Sequence, residues 1–419
     1  MPLVKNNRRN ASIEGNTLFK RIYEICLFIL IVGYFLFYET RMFQIAFVGV
    51  GLAGSLIITA SKIYISRFKL PLNTIWYFIF FVLTEISAIW AYSPDNATSN
   101  YFRLMVILLF ISLGITQYVD STTDAEVLLK IFTCSALLVA LIQLFSTPIS
   151  EWGAGYFGSK IGGHNSNTFG FVCSMSSVIS FYLGYIKNKH YHYIFVLVFV
   201  VCCLLTSSRK AFAISFVGFL LIILLARKKK HHLIHFAVAM GISFFALVLI
   251  IVDQTLYSIV GYRFESTFDF MSSGTTDETS LFLREYFINF AKILFFEKPI
   301  IGHGFANFSI ILAAEGDVSK EVYAHNNYWE ILADLGIVGF ITYYWFYAVI
   351  LIKLIIRFFK EKSNSLSILA LAMIISQLIL EFGLVSMTSF YPQILLSLIY
   401  VCSYASSSKR QYHYSPLQI

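Results

Sequence analysis

Apolar residues run along this chain in long blocks separated by short polar joints. A bilayer crossing needs about 17–25 mostly apolar residues. Blocks of that kind fall at roughly 22–38, 42–60, 72–92, 101–119, 127–146, 168–186, 190–206, 211–226, 233–252, 331–356, 366–385 and 390–406, which makes about twelve. The expected fold class is an all-α integral membrane protein of about 12 transmembrane helices. The seventh and eighth blocks are short and could be drawn as one interrupted segment around "TSSRKAFA" (206–213). One long polar stretch, 253–330, breaks the series. The chain thus divides into a tail (1–21), a bundle of about nine spans (22–252), a large loop (253–330), a bundle of about three spans (331–406) and a second tail (407–419).

Composition agrees with the blocks. Hydrophobic residues make up 58% and charged residues 13%, with a mean hydropathy of +0.73. A soluble domain carries about 25% charged residues. The net charge of +8 does not indicate nucleic acid, because the basic residues follow the joints. Alternate joints hold Lys5, Arg8, Arg9, Lys20 and Arg21; Lys62, Arg67 and Lys69; Lys187 and Lys189; Arg227 to Lys230; Lys353, Arg357, Lys360 and Lys362; and Lys409 and Arg410. The positive-inside rule makes these joints, and both termini, cytoplasmic. Joining the seventh and eighth blocks would put "RKKKHH" outside, so charge favours the break at Arg209. The joint 120–126, "DSTTDAE", is the exception, with no basic residue of its own. The amino terminus reads as a cytoplasmic tail before a retained helix, not as a cleaved signal peptide. All six cysteines lie in apolar runs without CxxC spacing, so neither a disulfide framework nor a zinc site is indicated.

By this topology the 253–330 loop faces outward, and its composition is that of ordered structure. "TSLFLREYFINFAKILFF" (279–296) carries a helical stripe at 283, 286, 287, 290 and 294, with Thr279 or Ser280 able to cap it. "EKPIIGHGFANF" (297–308) is a Pro/Gly turn, and "ANFSIILAAEG" (306–316) predicts a short amphipathic helix ended by Gly316. The loop therefore predicts two or three short amphipathic helices lying on the membrane surface.

Four places in this outer region carry candidate chemistry. Arg209 and Lys210 sit in a tight joint on the side where basic residues are disfavoured. They are either snorkelling side chains or an anion site, for which the planar Arg fork is suited. Arg284 lies in the loop helix, where a solvated helix face is the plainer explanation. His325, with Asn326 and Asn327, stands where the loop re-enters the membrane, at a helix start whose N–H groups attract anions. An ordinary imidazole titrates near 6.5 and can take a proton at ambient pH. Asn326 could equally be a helix cap. "SKIGGHNSNTFG" (159–170) adds Lys160, His164, Asn165 and Asn167, in what could be an ordinary turn. Glu85 and Glu381 fall inside predicted spans, where ionisable residues are functional candidates. No DxD-like acidic pair, HExxH, GxSxG elbow or Walker loop is present, so metal hydrolysis, serine hydrolysis and ATP-driven pumping are not indicated.

Taken in order, "TSSRKAF", "LFLREYFINFAKILFFEKPIIGHGFANF" and "AHNNYWEILADLGIVGF" resemble the O-antigen ligase/polymerase superfamily of bacterial membrane glycosyltransferases, the Wzy–WaaL group. "PIIGHGFANF" (299–308) and "HNNYWEILADLG" (325–336) fit its pattern closely, and "GGHNSNTFG" less distinctly. The motifs occupy roughly residues 155–345. The resemblance implies glycan transfer from an undecaprenyl-pyrophosphate donor on the outer face of the bacterial cytoplasmic membrane, without metal or other cofactor. Arg209 and Arg284 would hold the pyrophosphate, with Lys210 assisting, and His325 would activate the acceptor hydroxyl. His164, Asn167, His303 and Asn326 are reserve candidates for polar contacts. The reading is a repeat-unit polymerase, with a ligase to lipid A core as the alternative and a lipid-linked glycan flippase, using Glu85 and Glu381, as the reading from another class. The implied partners are the lipid-linked oligosaccharide and the bilayer, with a chain-length regulator protein as a candidate and no nucleic acid.

Overall fold

The computed structural model describes residues 2–37, 39–95, 101–148, 151–152, 157–158, 166–226, 257, 261, 265, 279–316, 318, 321–360 and 365–405. Among them the regular structure is helical throughout. In chain order the helices are α1 (Pro2–Leu36), α2 (Arg41–Tyr64), α3 (Leu72–Ile86, followed by a 3-10 turn Ser87–Ile89), α4 (Phe102–Tyr118), α5 (Thr122–Ser146), α6 (Ser166–Tyr185), α7 (His192–Leu205), α8 (Arg209–Leu225), α9 (Thr279–Glu297), α10 (Phe308–Glu315), α11 (Asn327–Lys360), α12 (Ser365–Leu380) and α13 (Phe390–Tyr404). Eleven of the predicted spans coincide with helices. The remaining one, 233–252, lies outside the described residues, as does the loop from 266 to 278. Helix α1 begins well ahead of its predicted span and runs through the stretch read as a tail.

Met42–Tyr64, Leu72–Ile89, Thr122–Ser146, Ser166–Tyr185 and Asn327–Lys360 are long and apolar enough to cross a bilayer, and four shorter apolar helices accompany them. Large apolar side chains such as Ile45, Leu56 and Ile341 stay exposed on the flanks. In water that would be a liability; against hydrocarbon it is the expected solvent-facing surface. The chain is a multi-pass membrane protein.

The two ends of the bundle differ chemically. At one end Lys20 and Lys62 converge on Asp120 at 2.9 and 2.6 Å, Lys20 also reaches Asp124 at 2.8 Å, and Lys187 meets Glu126 at 2.5 Å. Arg357 closes the same end by donating to the carbonyls of Ser403 and Ala405, each at 2.7 Å. The acidic joint 120–126 therefore borrows its cations from three neighbouring joints, and this accounts for the one exception in the charge pattern.

At the opposite end the joints carry polar side chains and backbone contacts instead. A buried polar chain leads up to it. Gln393 donates to Tyr343 at 2.8 Å, and Gln377 donates to Tyr347 at 3.1 Å. The hydroxyls of Tyr344, Tyr347 and Ser386 then donate to Glu381 at 2.6, 2.9 and 2.7 Å. Glu381 is fully buried. It braces hydroxyls from α11 and the α12–α13 joint and ion-pairs with no basic residue among those described. Although the buried Gln377 Oε1 accepts no hydrogen bond among the described residues, a buried polar network of this kind fixes relative helix positions.

Candidate active site

The Gly-rich turn 299–304 packs against α11 where that helix is kinked at Gly336, and the two backbones bond to each other. Ile337 N–H donates to the Pro299 carbonyl at 2.9 Å and Val338 N–H to Ile300 at 3.1 Å; in return His303 N–H donates to Ala333 at 3.0 Å and Gly304 N–H to Asp334 at 2.8 Å. Gly302 and Gly336 stand at mirrored places in this crossing, with φ of 64° and 62°. A methyl on Gly302 would run into the Asp334 backbone, and one on Gly336 into the backbone of Ile300. Gly336 breaks α11 here, between Asn327–Leu335 and the long span that follows. Gly336→Ala combines a left-handed backbone, costing about 1–2 kcal/mol, with overpacking of about 1–3 kcal/mol. The expected result is a loss of roughly 2–5 kcal/mol, read as a lower midpoint in a detergent melt followed by size-exclusion; an unchanged midpoint would remove this explanation of the break.

Asp334 secures the same crossing from within. Its fully buried carboxylate accepts the N–H groups of Ala306, Asn307 and Phe308 at 2.8, 3.1 and 2.8 Å. It thereby caps α10 from another element, which suits a negative group at a helix N-terminus. Helices α9 and α10 then rest on α11 through Phe287, Ala291, Leu294, Phe308, Ile311, Leu312 and Ala333. The short helix predicted to end at Gly316 does so. Of the predicted stripe on α9, Phe287, Phe290 and Leu294 pack in this cluster, joined by Ala291, whereas Leu283 and Tyr286 are exposed. Arg284 precedes Phe287 by three residues and so shares its face.

From this face the charge of Arg284 acts on His325. The His325 ring stacks near Phe287, with centroids 6.1 Å apart and planes 15° from parallel, and lies 4.1 Å from the Tyr323 ring. Its backbone is left-handed, with φ 55°, an outlier of the kind that collects at functional sites. Burial pushes the imidazole down to about 3, helped by the charges of Arg284 and Lys210. It is therefore neutral at ambient pH, well below the ordinary value near 6.5.

Lys210, one residue ahead of the eighth predicted span, donates to the Gly383 carbonyl at 3.0 Å. Burial lowers its pKa to about 7, with Arg284 and then Arg209 adding to the effect. Arg209 opens α8 beside it. The structure thus brings Arg209, Lys210, Arg284 and His325 into one electrostatic cluster at the motif end, from three separate stretches of chain.

The two asparagines beside His325 have other work. Asn326 Oδ1 accepts the N–H groups of Tyr328 and Trp329 at 3.0 and 3.2 Å, so it is a helix cap. Asn327 N–H donates to the Glu381 carbonyl at 2.9 Å, and its Oδ1 accepts Ser386 and Met387 N–H at 2.9 and 3.1 Å. Glu330 N–H donates to the Asn326 carbonyl at 3.0 Å. The first N–H groups of α11 are all used internally, so this helix start offers an anion nothing, contrary to the expectation from sequence. His303 is also turned inward. It is buried, its Nε2 meets the Leu294 carbonyl at 3.0 Å, and burial lowers its pKa. Asn167 lies in the first turn of α6; Lys160, His164 and Asn165 lie outside the described residues. Glu85 is half-buried on α3.

The structure adds residues that sequence reasoning passed over. A cavity of about 290 Å³ opens beside the cluster, with Tyr101, Thr168, Ser309, Tyr323, Glu330 and Thr388 among its walls. Tyr323, one of its walls, has its ring centroid 4.1 Å from that of His325. Glu330 lies one turn into α11, and its Oε2 accepts Ala324 N–H at 2.6 Å.

Residues 194–344 match the O-antigen ligase family, Wzy_C. The matched stretch holds the Arg209 joint, α9, both crossing segments and His325, and it supports the O-antigen ligase/polymerase superfamily for this chain. Members of that family are membrane glycosyltransferase-like enzymes. No curated protein matches the chain.

Proposed function

We propose that the protein is a polysaccharide repeat-unit polymerase of the cytoplasmic membrane, acting on its outer face. It transfers a glycan from an undecaprenyl-pyrophosphate donor to the hydroxyl of a lipid-linked acceptor. The observation that carries this reading is the cluster itself: the charges of Arg284 and Lys210 act on a neutral imidazole, and Arg209 acts on Lys210 beside it. A diphosphate leaves readily once its charge is neutralised, and cations placed beforehand supply that. The acceptor oxygen attacks the anomeric carbon, the bond from that carbon to the diphosphate oxygen breaks, and His325 takes the hydroxyl proton. An imidazole already neutral is in the right state for a base. The diphosphate departs on its lipid, held by Arg209, Arg284 and Lys210.

Purified protein given only the lipid-linked repeat unit should produce a ladder of products on a gel. A single product that appears only when a different acceptor is added would favour a ligase instead. Glu381 is satisfied by hydroxyls and by Asn327, which speaks against its use as the coupling group of a flippase.

Lys210 adds a pH dependence. With a lowered pKa near 7, its ammonium is present below neutral pH and is lost above it. Affinity for a short-chain prenyl pyrophosphate, measured by calorimetry, is expected to fall as pH rises from 6 to 8.5. Lys210→Arg, whose charge persists, should flatten that slope. A wild-type affinity independent of pH would remove Lys210 from the anion site.

A further inference from the structure

Lys210 reaches from α8 to the joint between α12 and α13, and the joint is shaped to take it. The ammonium donates to the Gly383 carbonyl at 3.0 Å. The backbone around that carbonyl is held from both sides. Gly383 N–H donates to the Leu380 carbonyl at 2.8 Å, which closes the turn. Two residues before Gly383, the Glu381 side chain accepts the hydroxyls of Tyr344, Tyr347 and Ser386, and its carbonyl accepts Asn327 N–H. Three residues after it, Ser386 N–H donates to Asn327 Oδ1 at 2.9 Å. Gly383 is not in the left-handed region that favours glycine, so its backbone does not explain the residue. Space does. A methyl group on Gly383 would overlap Nζ and Cε of Lys210 and press on Cδ, and these three atoms of one side chain are the nearest it would meet. An ammonium carries three N–H donors. Engaging one of them at a fixed carbonyl sets the direction of the other two.

We propose that Gly383 is a positioning residue for the anion site: its missing side chain leaves the slot in which Lys210 lies, and its carbonyl holds the ammonium in the cluster. The proposal rests on the reading above, in which that ammonium meets the diphosphate. A lysine chain loses rotamer freedom when it is ordered, and its compact charge has no planar fork to set a direction. The joint supplies both the space and the direction. The same joint bonds Asn327, two residues after His325. It is therefore the common footing of a cation for the leaving group and of the base for the acceptor. The charges of Arg284 and Arg209 act on Lys210, and Lys210 acts in turn on His325, so displacing the ammonium alters the whole cluster. A side chain at 383 should displace it without unfolding the joint, because what it meets is the far end of a flexible chain.

The test is a double-mutant cycle on the full-length protein in detergent. Binding of a short-chain prenyl pyrophosphate is read by calorimetry at pH 6, where the Lys210 ammonium is present. Gly383→Ala should weaken binding about tenfold, the size of one hydrogen bond to a charged group. Lys210→Ala should weaken it at least as much. Adding Gly383→Ala to Lys210→Ala should cost less than about twofold more, because the methyl group then meets no lysine. Gly383→Ala alone should also flatten the pH slope expected of the wild type between pH 6 and 8.5, and should melt as the wild type does. A merely structural role would lower the melting midpoint and weaken binding equally in both backgrounds. Binding unchanged in Gly383→Ala, or an equal loss with and without Lys210, would overturn the proposal. Lys210→Ala without effect on binding would overturn it together with the place of Lys210 in the anion site. The polymerase reading fails by a different measurement. A cycle that behaves as stated in a protein that makes no ladder removes that reading alone; a ladder from a protein in which the two losses add removes the role of Gly383 alone.

Discussion

His325→Ala is expected to cut the rate of glycan transfer by about 10²–10⁴-fold, the range for removing a general acid–base group. The protein should still insert and melt as the wild type does. The ring contributes a face to Phe287 and Tyr323, whereas the fold at this point is held by Asn326, Asn327 and the Gly302–Gly336 crossing. Alanine at φ 55° bears the same backbone strain as histidine. The pH profile sharpens the test. Because kcat/KM reports the free enzyme's groups and His325 titrates near 3 when substrate is absent, the wild type should show no acid limb near 6.5. Initial rates with lipid-linked substrate check both statements. A variant that retains wild-type turnover would end the assignment of His325 as the base.

Arg284→Ala and Arg209→Ala should each lower turnover by about 10²–10³-fold, comparable to the loss of one preorganised donor to developing charge. Lysine at either place should restore only part, since it lacks the planar fork. The two effects are expected to be less than additive, because both side chains serve one anion. Arg284 has a second, distinguishing consequence. Its charge is the largest coulombic influence depressing His325, so its removal lets the imidazole hold a proton at higher pH than before. Activity remaining in Arg284→Ala should therefore fade on the acid side at a pH where the wild type is unaffected. A normal product ladder from either variant would take that arginine out of the proposed site.

The helices were legible because each span is a continuous apolar block, and a block of that length has few other outcomes in a membrane. The clustering of Arg209, Arg284 and His325 was reached through a resemblance, since residues so distant in sequence share no local pattern. Periodicity found most of the packed face of α9 but extended it to Leu283 and Tyr286, which stay exposed. In a helix with apolar residues on several sides, the stripe chosen for burial is the one that finds a partner, here Phe308 and Ala333. The division of labour within His325–Asn326–Asn327 was equally hidden. A cap is local and could be named as one option, but Asn327 is explained by Ser386 and Met387, which follow it by some sixty positions. Glu330 and Tyr323 went unremarked because a cavity is a property of assembled walls.

The crossing of 299–304 with 333–338 bears on how so large a substrate gets in. Four backbone bonds and two glycines clasp α9, α10 and the start of α11 into a single unit, which makes this side of the site a fixed jaw. The α12–α13 joint belongs to the same jaw, because Asn327 holds Glu381, Ser386 and Met387, and Lys210 of α8 reaches this jaw at the Gly383 carbonyl. Entry of a lipid-borne sugar is therefore expected from the α8 side, with the arginine-bearing helix α9 as the anvil against which it is held.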